Sequence, residues 1–181
     1  FRSFHIDESG RGFSYLKNEP LDMRYESTQI SADRTQINAE KIVNEWPENK
    51  LEEIFTEYGE ERDSRKIAKA IVEERKNRKI ETTAELVRVI DMVIASNAIK
   101  TYSRIFQALR IAVNNELENI KQGLEGAWDI LKPNGRIVAI SFHSLEDRLV
   151  KNFFNSKKEE GVGEVLTKKP ITVGEDELNK N

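Results

Sequence analysis

Cysteine is absent from the chain, and histidine occurs only twice. The first absence excludes a disulfide scaffold, thiolate zinc ligation and thiol nucleophiles, and it fits a reducing compartment. The second makes a histidine-rich metal site a poor expectation. No apolar run approaches the roughly 18 residues that a bilayer span needs, and no basic stretch followed by an apolar one opens the chain as a secretory signal would. A soluble, cytoplasmic protein with no membrane contact is therefore expected. Positive charge is not in excess either: 29 Lys and Arg stand against 32 Asp and Glu, a formal net charge of -3. Bulk electrostatics alone would not hold nucleic acid, so any such contact must use a local basic face. What remains is 181 residues, 38% of them hydrophobic, enough for one domain with a core or for two small lobes.

The chain opens on Phe1, and Phe1 to Glu8 reads as the middle of a longer sequence, with no cap or turn before it. From Gly10 to Tyr25 turn formers and unusual side chains follow one another with no period of 2 or 3.6, which predicts an ordered loop. Glu26 to Asn38 is polar and reads as a connector. Helical spacing then begins. Ala39 to Trp46 stops at Pro47; Leu51, Ile54, Phe55 and Tyr58 mark a second helix ending at Gly59; Ile67, Ile71 and Val72 share a face of a third, from about Glu60 to Arg75. Thr82 and Glu85 have capping-box spacing ahead of Leu86, Val89, Ile90 and Val93, a fourth helix. One long helix is expected from Tyr102 to Leu131, broken by Pro133, Asn134 and Gly135. Arg136 to Phe142 is short, β-branched and apolar on both parities, the pattern of a strand buried on both faces of a parallel sheet. Ser144, with Asp147 three residues on, is expected to cap the helix after it, and Glu164 to Val173, interrupted by Pro170, is an edge strand at best. Helix, turn and buried strand make one unit of an α/β fold. A lone strand implies that its sheet partners are missing, and both ends of the chain look cut.

Three clusters could do chemistry. Ser141, His143, Ser144, Glu146, Asp147 and Arg148 follow the predicted strand, where ligands bind in open α/β sheets; the plain alternative is a helix cap with a solvated face. Arg11, Phe13, Asp22 and Arg24 lie in a Gly- and aromatic-rich loop suited to phosphate contact and base stacking, or to filling the core and pairing with one another. Gln107, Arg110 and Asn114 stand at intervals of three and four on one helix face, which points into a cleft or into solvent. The basic residues Arg62, Arg65, Lys66, Lys69, Arg75, Lys76, Arg78 and Lys79 alternate with Glu and read as an RNA contact or as an ion-paired surface.

Four segments carry a resemblance: GRGFSYLKNEPLDMR at 10–24, YGEERDSRKIAKAIVEER at 58–75, FQALRIAVNNELE at 106–118 and LKPNGRIVAISFHSLEDRLVKNFF at 131–154. In this order they resemble the RsmH (MraW) family of bacterial 16S ribosomal RNA cytosine-N4 methyltransferases, more weakly through LTKKPI at 166–171. The resemblance implies an α/β fold, part of a Rossmann-like class I methyltransferase domain formed by 1–38 and 100–181, with an all-α inserted lobe at 39–99. It implies S-adenosylmethionine as methyl donor and 16S ribosomal RNA or the small ribosomal subunit as partner, and it leaves a homodimer open. The family's Gly-rich cofactor loop would precede Phe1 and its Asn-Pro-Arg-rich segment would follow Asn181. By this resemblance His143, Ser144, Glu146 and Asp147 are the candidate catalytic residues. Arg11, Phe13, Asp22, Arg24, Gln107, Arg110 and Arg148 are the candidates for substrate binding, and His5, where the family often has Gln, for the cofactor. Lys100 to Ile105 departs from the His-Pro-Ala-Thr pattern usual before Phe-Gln-Ala.

Methylating an exocyclic amine needs no metal. Its lone pair is delocalised into the ring, so a catalyst must hold the amine in line with the sulfonium methyl and accept a hydrogen bond from N4–H. His143, Glu146 and Asp147 are possible acceptors; Arg11, Arg24 and Arg110 are possible clamps; Phe13 or Phe142 could stack. A non-catalytic RNA- or protein-binding helical module is the rival from another class. A hydrolase-like fragment using Ser144 and His143 is disfavoured, because adjacent residues do not readily pair as nucleophile and base.

Overall fold

The computed structural model describes residues 9–25, 37–94, 98–167 and 169–171, and the chain divides into two compact units, Phe1–Glu116 and Leu117–Asn181. The first unit is helical. Helix α1, Ala39–Glu45, is capped by the Asn38 side chain, which accepts from the Lys41 N–H at 2.9 Å, and it ends at Trp46 ahead of Pro47. Helix α2, Glu48–Glu57, follows that proline and buries Leu51, Ile54 and Phe55. Helix α3, Ser64–Asn77, buries Ile67, Ala68 and Ile71. Helix α4, Thr83–Asp91, starts on the expected capping box: the Thr82 hydroxyl accepts from the Glu85 N–H, and the Glu85 carboxylate accepts from the Thr82 N–H. Helix α5, Ala98–Asn114, closes against α1, α2 and α4, while α3 packs on α1, α2 and α4. Their apolar faces meet in one core that includes Ile42, Phe55, Ile71, Leu86, Ile105 and Leu109.

The loop before α1 is ordered, as expected, because it is tied to this core at both levels. Leu21 and Met23 are fully buried in it. Their backbone serves the helices: the Asp22 and Leu21 carbonyls accept from the N–H groups of Ala39 and Glu40, donors that a helix start leaves unpaired. An isolated antiparallel bridge joins Pro20 to Thr82, flanked by Leu21 N–H to the Glu81 carbonyl and Thr83 N–H to the Glu19 carbonyl, each 2.9 Å. At Gly12, with φ +77°, a Cβ would lie 2.3 Å from the Pro20 carbonyl oxygen, so only glycine lets the two strands of this loop close. Helix α2 stops ahead of Gly59, as expected, with Tyr58 as its C-cap. Glu60 takes the positive φ, 49°, and Gly59 instead lets α2 and α5 approach, since a Cβ there would stand 2.9 Å from the Arg104 carbonyl oxygen.

The long helix expected over 102–131 is two helices. Asn115 adopts φ 49° and separates α5 from α6, Glu116–Asp129. The apolar period runs on through the break, and Asn is one of the few residues that enter the left-handed region at small cost.

In the second unit the Pro133-Asn134-Gly135 turn forms as expected, with Gly135 N–H donating to the Lys132 carbonyl at 2.8 Å. The segment after it corrects the sequence reading. Residues 136–142 form no strand and are not buried: Val138 is 87% exposed, Ile140 81% and Phe142 74%. A strand exists only as part of a ladder, and none of the described residues offers this segment a partner. The stretch 164–167 and 169–171 carries no strand either. Helix α7, Ser144–Glu159, follows and buries Leu145. Its Phe153 meets Trp128 edge-on at 6.2 Å, and the Lys157 ammonium lies over both rings.

Candidate functional site

In the first unit the functional candidates converge where the 9–25 loop meets the end of α5. The Asn114 side chain holds the loop at two points: its Nδ2 donates to the Met23 carbonyl at 2.7 Å, and its Oδ1 accepts from the Tyr25 N–H at 2.9 Å. Between them the backbone turns at Met23, which has φ 58°. Arg110 binds Glu116 through both oxygens, Nε at 2.8 Å and Nη2 at 3.1 Å, and the Tyr25 hydroxyl donates to the same carboxylate at 2.7 Å. Glu116 is buried, so this carboxylate is held between a cation and a phenol out of water. Arg11 donates to the carbonyls of Arg24 and Tyr25 and lies over the Phe13 ring at 5.5 Å; Phe13 in turn stacks on Tyr25 at 5.7 Å. Arg24 pairs with Asp22 at 2.5 Å, and that hydrogen bond raises the already high Arg24 pKa.

Arg11, Phe13, Asp22, Arg24 and Arg110 are thus brought together, and each of the three arginines already holds protein atoms. Gln107 is not part of this group: its Nε2 donates to the Tyr58 carbonyl at 2.9 Å and braces the end of α2. Glu116 and Tyr25 were not singled out from sequence. The signal for Glu116 was its place two residues after Asn114, one turn and a half beyond Arg110, within reach once the helix breaks at Asn115.

In the second unit the start of α7 is built differently from the expectation. The N-cap is His143 rather than Ser144: His143 has extended backbone, and its Nδ1 accepts from the Glu146 N–H at 3.5 Å. Glu146 reaches back, with Oε2 accepting from the Phe142 N–H at 2.7 Å and Oε1 lying 3.4 Å from His143 Nε2. That Nε2 atom is buried without a hydrogen-bond partner among the described residues. Because Nδ1 accepts, the neutral ring carries its proton on Nε2. Asp147 sits in the first turn, where the helix dipole favours a carboxylate, and pairs with Lys151 at 2.6 Å. Ser144 and Arg148 are exposed. His5, the expected cofactor contact, lies outside the described residues.

A model of the MraW methylase family matches residues 2–181. The chain belongs to this family. It is 49% identical over 175 residues to the ribosomal RNA small subunit methyltransferase H of Sulfurihydrogenibium sp. (strain YO3AOP1), covering 94% of this chain and 58% of that protein. The protein of the same name from Dictyoglomus thermophilum is 46% identical over 182 residues, covering 100% of this chain and 59% of its own length. That from Leptospira interrogans serovar copenhageni is 45% identical over 183 residues, 99% and 53%. The chain therefore spans a little over half the length of these relatives. Membership implies a class I methyltransferase fold. Among the described residues no helix is long and apolar enough to cross a membrane.

Proposed function

We propose that this chain is part of an S-adenosylmethionine-dependent methyltransferase acting on N4 of a cytidine in 16S ribosomal RNA. The observation that carries the reading is the family match over residues 2–181, together with relatives whose names state the methylation of small-subunit ribosomal RNA. On this reading residues 1–38 and 100–181 are parts of an α/β methyltransferase domain, and 39–99 is a helical insertion. The apolar and exposed character of 136–142 supports it, since a sheet strand without its neighbours has this character.

The methyl donor supplies an electrophilic sulfonium carbon when bound. Gly12, in the Gly-Arg-Gly turn, is closed by the Pro20 carbonyl instead of facing a ligand. The chemistry assigned to this chain is therefore the handling of the amine and of the RNA. Among His143, Ser144, Glu146 and Asp147, the acceptor for N4–H is the Glu146 carboxylate. The Phe142 N–H, which donates to it, orients it, and the His143 ring holds the Glu146 backbone through Nδ1. Asp147, engaged with Lys151, contributes charge at the helix start. Arg11, Phe13, Asp22, Arg24 and Arg110 shape the substrate loop, Gln107 on α5 braces the end of α2, and Arg148 faces solvent for RNA.

Single-turnover methylation of small-subunit RNA by the protein as its gene encodes it tests this assignment. Glu146→Gln keeps a hydrogen bond to the Phe142 N–H but removes the charge, and Arg110→Ala releases Glu116. Each should slow methyl transfer about tenfold or more, some 1.4 kcal/mol of transition-state free energy, with a smaller change for Asp147→Ala. Folded variants that methylate at the wild-type rate would reduce Glu146 and Arg110 to a cap and an ion pair.

A further inference from the structure

Helix α3 has cations at both ends, and only Arg75 and Lys76 in its last turn stand where the helix dipole favours them. Its first turn holds no acidic residue, and Asp63, at the N-cap, makes no capping hydrogen bond but binds Lys66 at 2.6 Å. Arg65 and Lys66 stand instead at the end where the helix dipole disfavours cations. Between 62 and 79 the chain places Arg62, Arg65, Lys66, Lys69, Arg75, Lys76, Arg78 and Lys79 against Asp63, Glu73 and Glu74 alone, in a protein whose net charge is -3. Several of these are committed: Lys76 to Glu73, Arg78 to Glu85, and Arg75 to the Val43 carbonyl. Arg62, Arg65 and Lys79 are exposed and form no salt bridge with a described residue, and Lys69 has only the through-space charge of Glu73 near it. Arg65 and Lys69, four residues apart, line one side of the helix, opposite the buried Ile67 and Ile71, and Arg62 lies just ahead of its N-cap. Helices α1 and α2 are the reverse, with Glu40, Glu45, Glu48, Glu52, Glu53 and Glu57 against Lys41 and Lys50. Such a charge split orients the unit in the field of a polyanion with α3 foremost.

We propose that Arg62, just ahead of α3, with Arg65 and Lys69 on it, forms a ridge that is a docking surface for the phosphate backbone of the substrate RNA. This inference rests on the ribosomal RNA reading above and adds to it a surface carried by α3 in the first unit. Exposed cations with no salt bridge to a described residue, Arg65 among them at the helix end that the dipole disfavours, suit an anionic partner, and the repeating anion of that reading is phosphate. The contact positions the RNA without reading its sequence.

The test measures binding of small-subunit RNA by fluorescence anisotropy across a salt series, with the protein as its gene encodes it. Joint substitution Arg62→Gln, Arg65→Gln and Lys69→Gln should weaken binding about tenfold or more near physiological salt. It should also make the plot of log K against log salt shallower by about 2, since each lost single-strand contact removes about 0.7. Methyl transfer at saturating RNA should hold, with KM raised. Arg62→Lys with Arg65→Lys should keep wild-type affinity, and Lys50→Gln should change little. Equal thermal unfolding of all variants is the folding control. Wild-type affinity and slope in the triple variant would overturn the ridge while leaving the methylation reading intact. A wild-type protein that binds RNA through the ridge but never methylates small-subunit RNA would overturn that reading and leave the ridge standing.

Discussion

Two asparagines do at residue scale what no local pattern announces. Asn44 on α1 donates to the Ile80 carbonyl at 2.8 Å and accepts from the Ile80 N–H at 3.0 Å, tying the segment before α4 to a helix 36 residues earlier. Asn114 holds Met23 and Tyr25 the same way across 91 and 89 residues. A side-chain amide that pairs with both backbone groups of a distant residue substitutes for a strand partner. Removing it leaves partly buried polar groups unpaired, so Asn44→Ala should cost about 2 kcal/mol in a denaturant titration. The helical spacing of Gln107, Arg110 and Asn114 was legible in the sequence; that Asn114 grips the loop was not, because its partners are backbone atoms. Gly12→Ala should cost more, several kcal/mol, because strain at positive φ adds to the collision with Pro20. Tyr102 makes a residue-scale prediction in pH. Its hydroxyl donates to Asp91, which pushes its pKa up to about 12. The folded protein then holds a proton that the unfolded chain releases near pH 10. The stabilisation is complete below that value and is lost as pH rises toward about 12. Ultraviolet phenolate titration should show one late-titrating tyrosine that Tyr102→Phe abolishes.

At the scale of elements, starts and stops were legible where the chemistry is local. The Thr82 and Glu85 capping box stands where the spacing put it, and Pro47 separates α1 from α2. The misreadings share one cause. At Asn115 a single left-handed residue breaks a helix whose apolar period continues, and at His143 the cap moved by one residue because imidazole Nδ1 can accept as a hydroxyl does. Periodicity does not see either. The capping box also predicts acid behaviour. Hydrogen bonds from the Glu81 and Thr82 N–H groups hold the Glu85 carboxyl below its usual 4.5. The stability this gives is present above that value and lost as pH falls through the lower folded pKa. Glu85→Ala should therefore cost about 1 kcal/mol near neutral pH, shrinking toward zero in strong acid. A difference independent of pH would mean that packing, not the charge, makes the cap.

For the whole molecule, the buried strand over 136–142 was the sharpest expectation, and the structure reverses its burial and pairs it with no strand among the described residues. The residue types were read correctly: Ile137, Val138, Ile140 and Phe142 are what a strand inside a sheet would present. Burial belongs to pairs of strands, though, and one segment's composition does not supply a neighbour. The helical core became legible for the opposite reason, since α1 to α5 carry complementary apolar faces within one stretch of chain and bury Ile42, Leu51, Phe55, Ile67, Leu86 and Leu109 against one another. The exposed segment has a physical consequence for the 181-residue chain studied alone. Val138, Ile140 and Phe142 place apolar area in water on a segment that joins no ladder among the described residues, the features that promote strand addition and association. Such a chain should bind an environment-sensitive hydrophobic dye and sediment with a concentration-dependent rate. Val138→Thr with Ile140→Thr keeps β-branching and removes much of the apolar area, so both signals should fall while the thermal unfolding of the helical unit stays where it is. A wild-type chain that ignores the dye and sediments as one species at every concentration would show that these side chains are covered in solution.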